Sequence, residues 1–453
     1  MGWVDGEKSG TPMPLSQSDT EHLLRRVGFG PTAADTARFV GRDLDDVLDE
    51  MFAKSPAVPS MPGATSNADW YTALLGTVDW WVDRMADVTW VGGPNTPSPL
   101  LEKLALFWHS HFACGTGKVR DVRALWRQMV AYWEDGLGDF EDLLRRVMLD
   151  GGMLAYFDNH LNRKGRPQEN LARELMELHT CGVGSFTEND VINMAKAWTG
   201  HGVGEFKNPP YDFRHRFRPR DHDKSMKELF GLPPRRWDAD DTMTELVKGE
   251  KQDATARFIV TKLWRYYVND DPTTADIDAL VLTFINNGMR VEPVLRALFT
   301  HPTFWAAETR FGMIRQPIEW SADILRRFGI SSFDAGLTHR SKFMGQGLFR
   351  PPNVAGWGTN EYWISTTAVW GKARFLRALR NQPAVENHFA GIETGTRTQA
   401  VDRILDTFGV TEPSAASEAR IGEWFDGLVA DAPWAASKDA VYIGGLLPEV
   451  QAG

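Results

Sequence analysis

Cysteine is nearly missing from this sequence. Cys114 and Cys181 are the two thiols in 453 residues. That is too few for a disulfide scaffold and suits a reducing compartment, with one bridge or two buried thiols both open. Long apolar runs are missing too: no stretch approaches the roughly 18 residues that a membrane span needs. The opening segment MGWVDGEKSGTPMP lacks the apolar centre of an export signal. As written the chain reads as cytoplasmic, and as exported if its N-terminus has been trimmed. There is no surplus of basic charge. Fifty basic residues against 60 acidic ones give a net charge of −10, and the basic residues are scattered, which argues against nucleic acid and anionic membrane as partners. No G-x-S-x-G, Walker loop, dinucleotide fingerprint or H-E-x-x-H occurs, so the enzyme classes those motifs mark are set aside.

What is abundant is apolar surface and tryptophan. At 42% hydrophobic residues the chain can bury a large core, and its 18 tryptophans are roughly three times average usage. Indoles knit helices together or stack on sugars and cations in a cleft, and both roles fit. Helical periodicity dominates. Ser18-Asp19-Thr20-Glu21 caps a helix that stops at Gly28; further helices are expected at 34–53, 67–85, 100–111, 121–135, 139–149, 169–180 and 187–199. A loop is expected at 92–99, and residues 200–238 lack periodicity, with room for a short hairpin. Helices resume at 239–248, 253–268, 274–286, 291–300, 315–328, 366–380, 397–408 and 415–430. The reading is a mainly α, large multi-helix globular domain with long irregular loops and at most a short β-hairpin. Its expected organisation is a flexible N-terminus at 1–14, a single helical domain at 15–380 containing the polar site, and a helical extension at 381–453 packed on it.

The distinctive polar chemistry lies at 155–225. On an ideal helix Glu169, Arg173, Glu177, Asn170 and Glu174 fall within an arc of about 140°, opposite Leu171, Leu175 and Leu178. Turned inward, that face is a catalytic floor on which Arg173 keeps one carboxylate ionised while a desolvated neighbour holds its proton. Turned outward, it is an ordinary surface helix with an i,i+4 pair. The turn-rich lead-in supplies Asp158 and Asn159, and the irregular segment supplies Arg218, Asp221 and His222, an imidazole between aspartates suited to acid–base work. Gly345-Gln346-Gly347 and Pro351–Trp357, with Asn353, Trp357 and then Trp363, form a rigid polar-aromatic loop suited to lining a cleft. His109, His111 and Cys114 with His179 and Cys181 are groups that zinc or copper prefer. Side chains two apart on a helix diverge by about 200°, so a divalent metal held by His109, His111 or His179 with a carboxylate is an alternative, not the first expectation.

These stretches carry a resemblance: His22–Gly30, Phe107–Phe112, Asn162-Arg163-Lys164 leading into Glu169–Leu178, Thr187–Val191 and Pro351–Trp357. Over roughly residues 15–380 the chain resembles the bacterial family called domain of unknown function 1800. The resemblance implies a largely helical fold, export in many members, and frequent encoding beside a second uncharacterised family that resembles alkaline phosphatases and sulfatases. It implies no reaction. The plain start of this chain departs from the exported members.

Three functions follow. The first is a hydrolase acting on a saccharide-like or polyhydroxylated substrate, with Glu174 or Glu177 as acid, Asp158 or Asp221 as base or nucleophile, His222 for proton transfer, Arg173 setting protonation and Trp357 stacking. Asn159, Asn170, Arg218, Asn353 and Trp363 would contact substrate. The second is a metal-dependent enzyme, an oxidoreductase among the options, built on His109, His111 and His179. The third is a non-catalytic binding or assembly partner for the phosphatase- or sulfatase-like neighbour.

Overall fold

The computed structural model describes residues 12–53, 58–62, 70–87, 90, 98–204 and 213–453. The first eleven residues, the start of the expected 67–85 helix and positions 92–97 of the expected loop lie outside them. Twenty-three α-helices dominate the described residues, so the chain is mainly α. No described helix is long and apolar enough to cross a membrane.

Helix starts follow side-chain caps. Ser16 accepts from the Asp19 amide, and the Asp19 carboxylate accepts from the Ser16 amide in return, so the first helix opens at Gln17 and runs to Val27. The cap lies two residues ahead of the expected Ser18. Thr187 and Asp238 cap the helices Glu188–Ala197 and Ala239–Val247 with the same reciprocal box, and Asp121 and Asp139 cap Val122–Asp135 and Phe140–Met148 by accepting from the amide two residues on. The expected 34–53 helix is two, Ala33–Phe39 and Leu44–Phe52, because Gly41 takes φ +79° and Asp43 starts a new cap.

Two small antiparallel hairpins interrupt the helices, one more than expected. His201–Val203 pairs with His215–Phe217, and Lys227–Leu229 with Leu232–Arg235. The second turns through Phe230 and Gly231, both at positive φ, which matches the right-handed twist of the strands.

One hydrophobic cluster runs from Leu15 to Val450. Eight tryptophans, Trp81, Trp90, Trp108, Trp133, Trp198, Trp237, Trp264 and Trp320, are among its most buried side chains. Most of the indole surplus is therefore helix packing. The last residues join the same body: the Arg315 amide donates to the Gln451 carbonyl at 2.8 Å and Lys372 Nζ to Gln451 Oε1 at 2.6 Å.

Candidate functional site

The helix Pro99–His111 is the spine of the site. Ser98 caps it, Pro99 opens it, and it is buried almost throughout. His109 and His111 leave it on different sides. His109 Nε2 accepts from the Phe349 amide at 3.0 Å, and its ring packs on Trp81, Phe349 and Trp357. His111 faces the segment Leu175–His179, where the expected 169–180 helix changes character. After one α-helical turn at Asn170–Glu174 the backbone widens into a π-helical turn, a form often found at functional positions.

The two histidines bind each other's main chain. His111 Nε2 donates to the His179 carbonyl at 3.2 Å, and His179 Nδ1 donates to the His111 carbonyl at 3.0 Å. Those bonds fix the tautomers: His111 Nδ1 is left as an acceptor, and it receives Lys262 Nζ at 3.2 Å. Lys262 also donates to the Leu178 carbonyl at 3.3 Å. Burial keeps all three imidazoles neutral, lowering His109 and His179 to about 3 and His111 well below its ordinary value.

This geometry corrects the metal reading. The Nε2 atoms of His109 and His111 and Nδ1 of His179 are committed to backbone groups, and His111 Nδ1 to a lysine. Among the described residues no three His, Cys, Asp or Glu side chains converge to hold an ion. Cys114 and Cys181 are separate buried thiols, pushed up to about 12 and about 11 by burial.

The carboxylate face takes the outward of the two orientations that the sequence leaves open. Glu169 and Asn170 are exposed, and Arg173, Glu174 and Glu177 sit at the protein–water boundary, so the face does not form a buried floor. Arg173 makes a two-pronged pair with Glu188 at 2.8 and 2.7 Å, whereas its expected partner Glu169 is 3.6 Å away. The π-helical turn breaks the regular 100° step that placed Glu177 on one arc with Glu169. What survives is a close acidic pair: partial burial and the neighbouring Glu177 charge raise the Glu174 carboxyl.

The remaining expected residues scatter. Asp158, at φ +60°, pairs with Lys118 at 2.7 Å. Asn159 is buried and donates to the His201 and Trp198 carbonyls at 2.9 and 3.3 Å, a structural role. Asn170 donates to the Phe157 carbonyl at 3.3 Å, and Arg218 to the Val203 carbonyl at 2.6 Å. His222 Nδ1 donates to the Thr199 carbonyl at 3.0 Å, and the Asp221 carbonyl accepts from the Lys164 amide. Among the described residues no hydrogen bond, ion pair or ring contact joins His222 or Asp221 to Glu174 or Glu177. Asn353 is exposed and holds the Ala355 amide, and Trp363 is buried.

The structure gathers instead a cleft of about 200 Å³, lined by Phe107, Ser110 and His111, by Lys262, Arg265 and Tyr266 of the helix Gln252–Tyr267, and by Gln316 and residues of the 355–359 loop. Trp357 forms part of this wall, as its loop composition suggested. The loop is tied to the spine by the Ser110 hydroxyl, which accepts from the Trp357 amide at 3.1 Å and donates to its carbonyl at 3.3 Å. Gly356 makes the approach possible: at φ +80°, a Cβ there would lie 2.1 Å from the Ser110 carbonyl oxygen. The Trp357 indole nitrogen is buried with no hydrogen-bond partner among the described residues.

Lys262, Arg265 and Tyr266 are the residues that sequence reasoning missed. A signal was present: on a helix Lys262 lies about 60° round from Ile259 and about 40° from Tyr266, at the edge of the buried stripe rather than opposite it. Burial lowers the Lys262 ammonium to about 8, and among the described residues no carboxylate lies within ion-pair distance of it.

No curated protein and no solved structure gives a significant match to the chain. Residues 22–443 match the family described as "Protein of unknown function (DUF1800)", and the chain belongs to that family.

Proposed function

We propose that this chain is a hydrolytic enzyme for a small polyhydroxylated substrate, bound in the cleft between the Pro99–His111 and Gln252–Tyr267 helices, with Lys262 as its proton-transfer group. The observation that carries this reading is the setting of Lys262: a half-buried amine on a cleft wall, held by a neutral imidazole and a carbonyl without a carboxylate partner. Its depression to about 8 keeps both protonation states populated near neutral pH, which suits deprotonating a water and returning a proton to a leaving oxygen. His111 acts as a fixed acceptor because its other nitrogen is committed to His179. Phe107, Tyr266 and Trp357 supply apolar faces for a sugar-like ring.

The test is turnover of a panel of aryl glycosides and aryl esters by wild type and Lys262→Met, across pH 6 to 10. The expected result is at least a hundredfold loss in kcat for the variant, with a wild-type profile that bends near pH 8. Equal rates for the two proteins would sink the proposal.

A second seat for the same class of reaction is the Glu174–Glu177 pair, favoured by the raised Glu174 carboxyl. Glu174→Gln separates the two: it abolishes turnover only if the acidic pair does the chemistry.

A further inference from the structure

Behind the cleft lies a second, smaller cavity of about 30 Å³, which shares Tyr266, Gln316 and Thr359 with it. Its other walls carry four cations, Arg25 and Arg26 of the first helix, Lys103 of the spine, and Arg315, together with the Glu319 carboxylate and the last residue, Gly453. Two of these cations are compensated. Lys103 Nζ is 2.7 Å from Glu319, and Arg315 is 2.9 Å from Asp323. Asp323 is itself divided further, with Arg326 at 2.9 Å and Arg327 at 3.0 Å.

Arg25 is compensated more weakly, and Arg26 by no ion pair among the described residues. The nearest carboxylate to Arg25 is Glu21 at 3.9 Å, and its guanidinium lies 4.4 Å above the Phe311 ring. Arg26 donates to the Thr309 carbonyl and has no carboxylate within ion-pair distance among the described residues. The Nε atoms of both are buried without a partner among the described residues.

Burial lowers Arg25 to about 10, against the opposing charge of Glu21, and Arg26 to about 9, with the neighbouring Arg25 charge adding to the effect on Arg26. Uncompensated buried charge is costly unless something pairs with it. A cavity of this size holds two or three waters, at about 10–15 Å³ each, or the oxygens of one small anionic group.

We infer that this cavity is an oxyanion subsite, in which Arg25 and Arg26 receive a carboxylate or phosphoryl group. The guanidinium fork matches both kinds of oxyanion. A ligand whose head sits there extends past Tyr266 into the larger cleft. The subsite does not depend on Lys262 chemistry.

The experiment is calorimetric titration of the full chain with inorganic phosphate and, separately, with acetate, against sodium chloride of equal ionic strength. Thermal melts are recorded in each. Wild type is expected to bind at least one of the two oxyanions and to melt higher in its presence; whichever binds tighter identifies the head group. Arg25→Gln is expected to weaken that binding at least tenfold, since it removes one of the guanidinium forks on the cavity wall. Arg25→Lys, which keeps the charge without the fork, should fall between. Lys262→Met should bind the oxyanion as wild type does, so this inference and the proposed chemistry fail separately. The inference is overturned if wild type binds neither anion beyond the chloride control, or if Arg25→Gln binds unchanged. Should Arg25→Gln not fold, protection of Arg25 from phenylglyoxal by phosphate in the wild type decides; absence of protection overturns it.

Discussion

Lowering the pH should unfold this protein through its buried histidines, and His109 isolates the effect. In the folded chain His109 titrates at about 3, against an ordinary 6.5, with burial as the sole cause. Its ring is surrounded by Trp81, Phe349 and Trp357, and no charged side chain contributes. Between those two values the unfolded chain binds a proton that the folded chain does not. Stability from this site is therefore complete above pH 6.5 and is lost as pH falls towards 3. At pH 5 the solution is about 1.5 units below the pKa of the unfolded group, which at 1.36 kcal/mol per unit is a loss of about 2 kcal/mol. His179, at about 3, and His22, at about 2, each lose a similar amount at that pH, so the three together approach about 6 kcal/mol, comparable with the whole stability of many domains. Glu102 and Asp150 oppose this, because burial raises their carboxyls and they bind extra protons when folded. A single-site comparison removes that complication. Guanidinium chloride unfolding of wild type and His109→Gln, followed by tryptophan fluorescence at pH 7.5, 6 and 5, should show the stability gap between them narrowing by about 2 kcal/mol from the highest pH to the lowest. A gap independent of pH would refute the reasoning.

Other expected outcomes follow from the same geometry. Asp323→Asn leaves Arg315, Arg326 and Arg327 buried around a neutral amide and should cost about 3–5 kcal/mol in denaturant unfolding at pH 7. The three arginines hold the Asp323 carboxyl well below its ordinary 3.8, so its contribution should be lost only as pH falls below that value. Arg173→Ala removes an equally well-formed but exposed pair with Glu188, and should cost no more than about 1 kcal/mol in the same assay. Gly356→Ala places a methyl against the Ser110 carbonyl and should lower the melting temperature while shifting the tryptophan emission spectrum, because Trp357 must move; an unchanged spectrum and melt would count against the close approach.

Much of the architecture was legible because its signals are local. Thr187 and Asp190, three residues apart, cap a helix through side chains that the sequence displays, and Gly28 ends the first helix where expected. The π-helical turn was hidden because Leu175-Met176-Glu177-Leu178-His179 is composed of ordinary helix-compatible residues, and only tertiary bonds to His111 and Lys262 accompany its widened form. The error in the carboxylate face follows from that, since any projection at a constant angle fails across such a turn. The second hairpin turns on Phe230, a bulky residue at φ +56° that turn composition alone does not suggest. In the candidate cleft, Trp357 was readable from its Pro- and Gly-rich loop. For Lys262 only its place at the edge of a buried stripe was readable; its partners are His111, 151 positions earlier, and the Leu178 carbonyl, 84 positions earlier, and no local pattern carries separations of that size.

The reciprocal bonds between His111 and His179 also bear on inheritance. Each imidazole ends the other's segment by taking a carbonyl that a helix terminus would otherwise leave unmet. Replacing one histidine orphans a buried carbonyl on the opposite segment, and the surviving ring loses a neighbour in a tightly packed aromatic cluster. A lineage that drifts at one of the two positions therefore passes through a handicapped intermediate, and change is expected at both together or at neither. Aligned relatives should show positions 111 and 179 covarying more strongly with each other than either does with its own sequence neighbours.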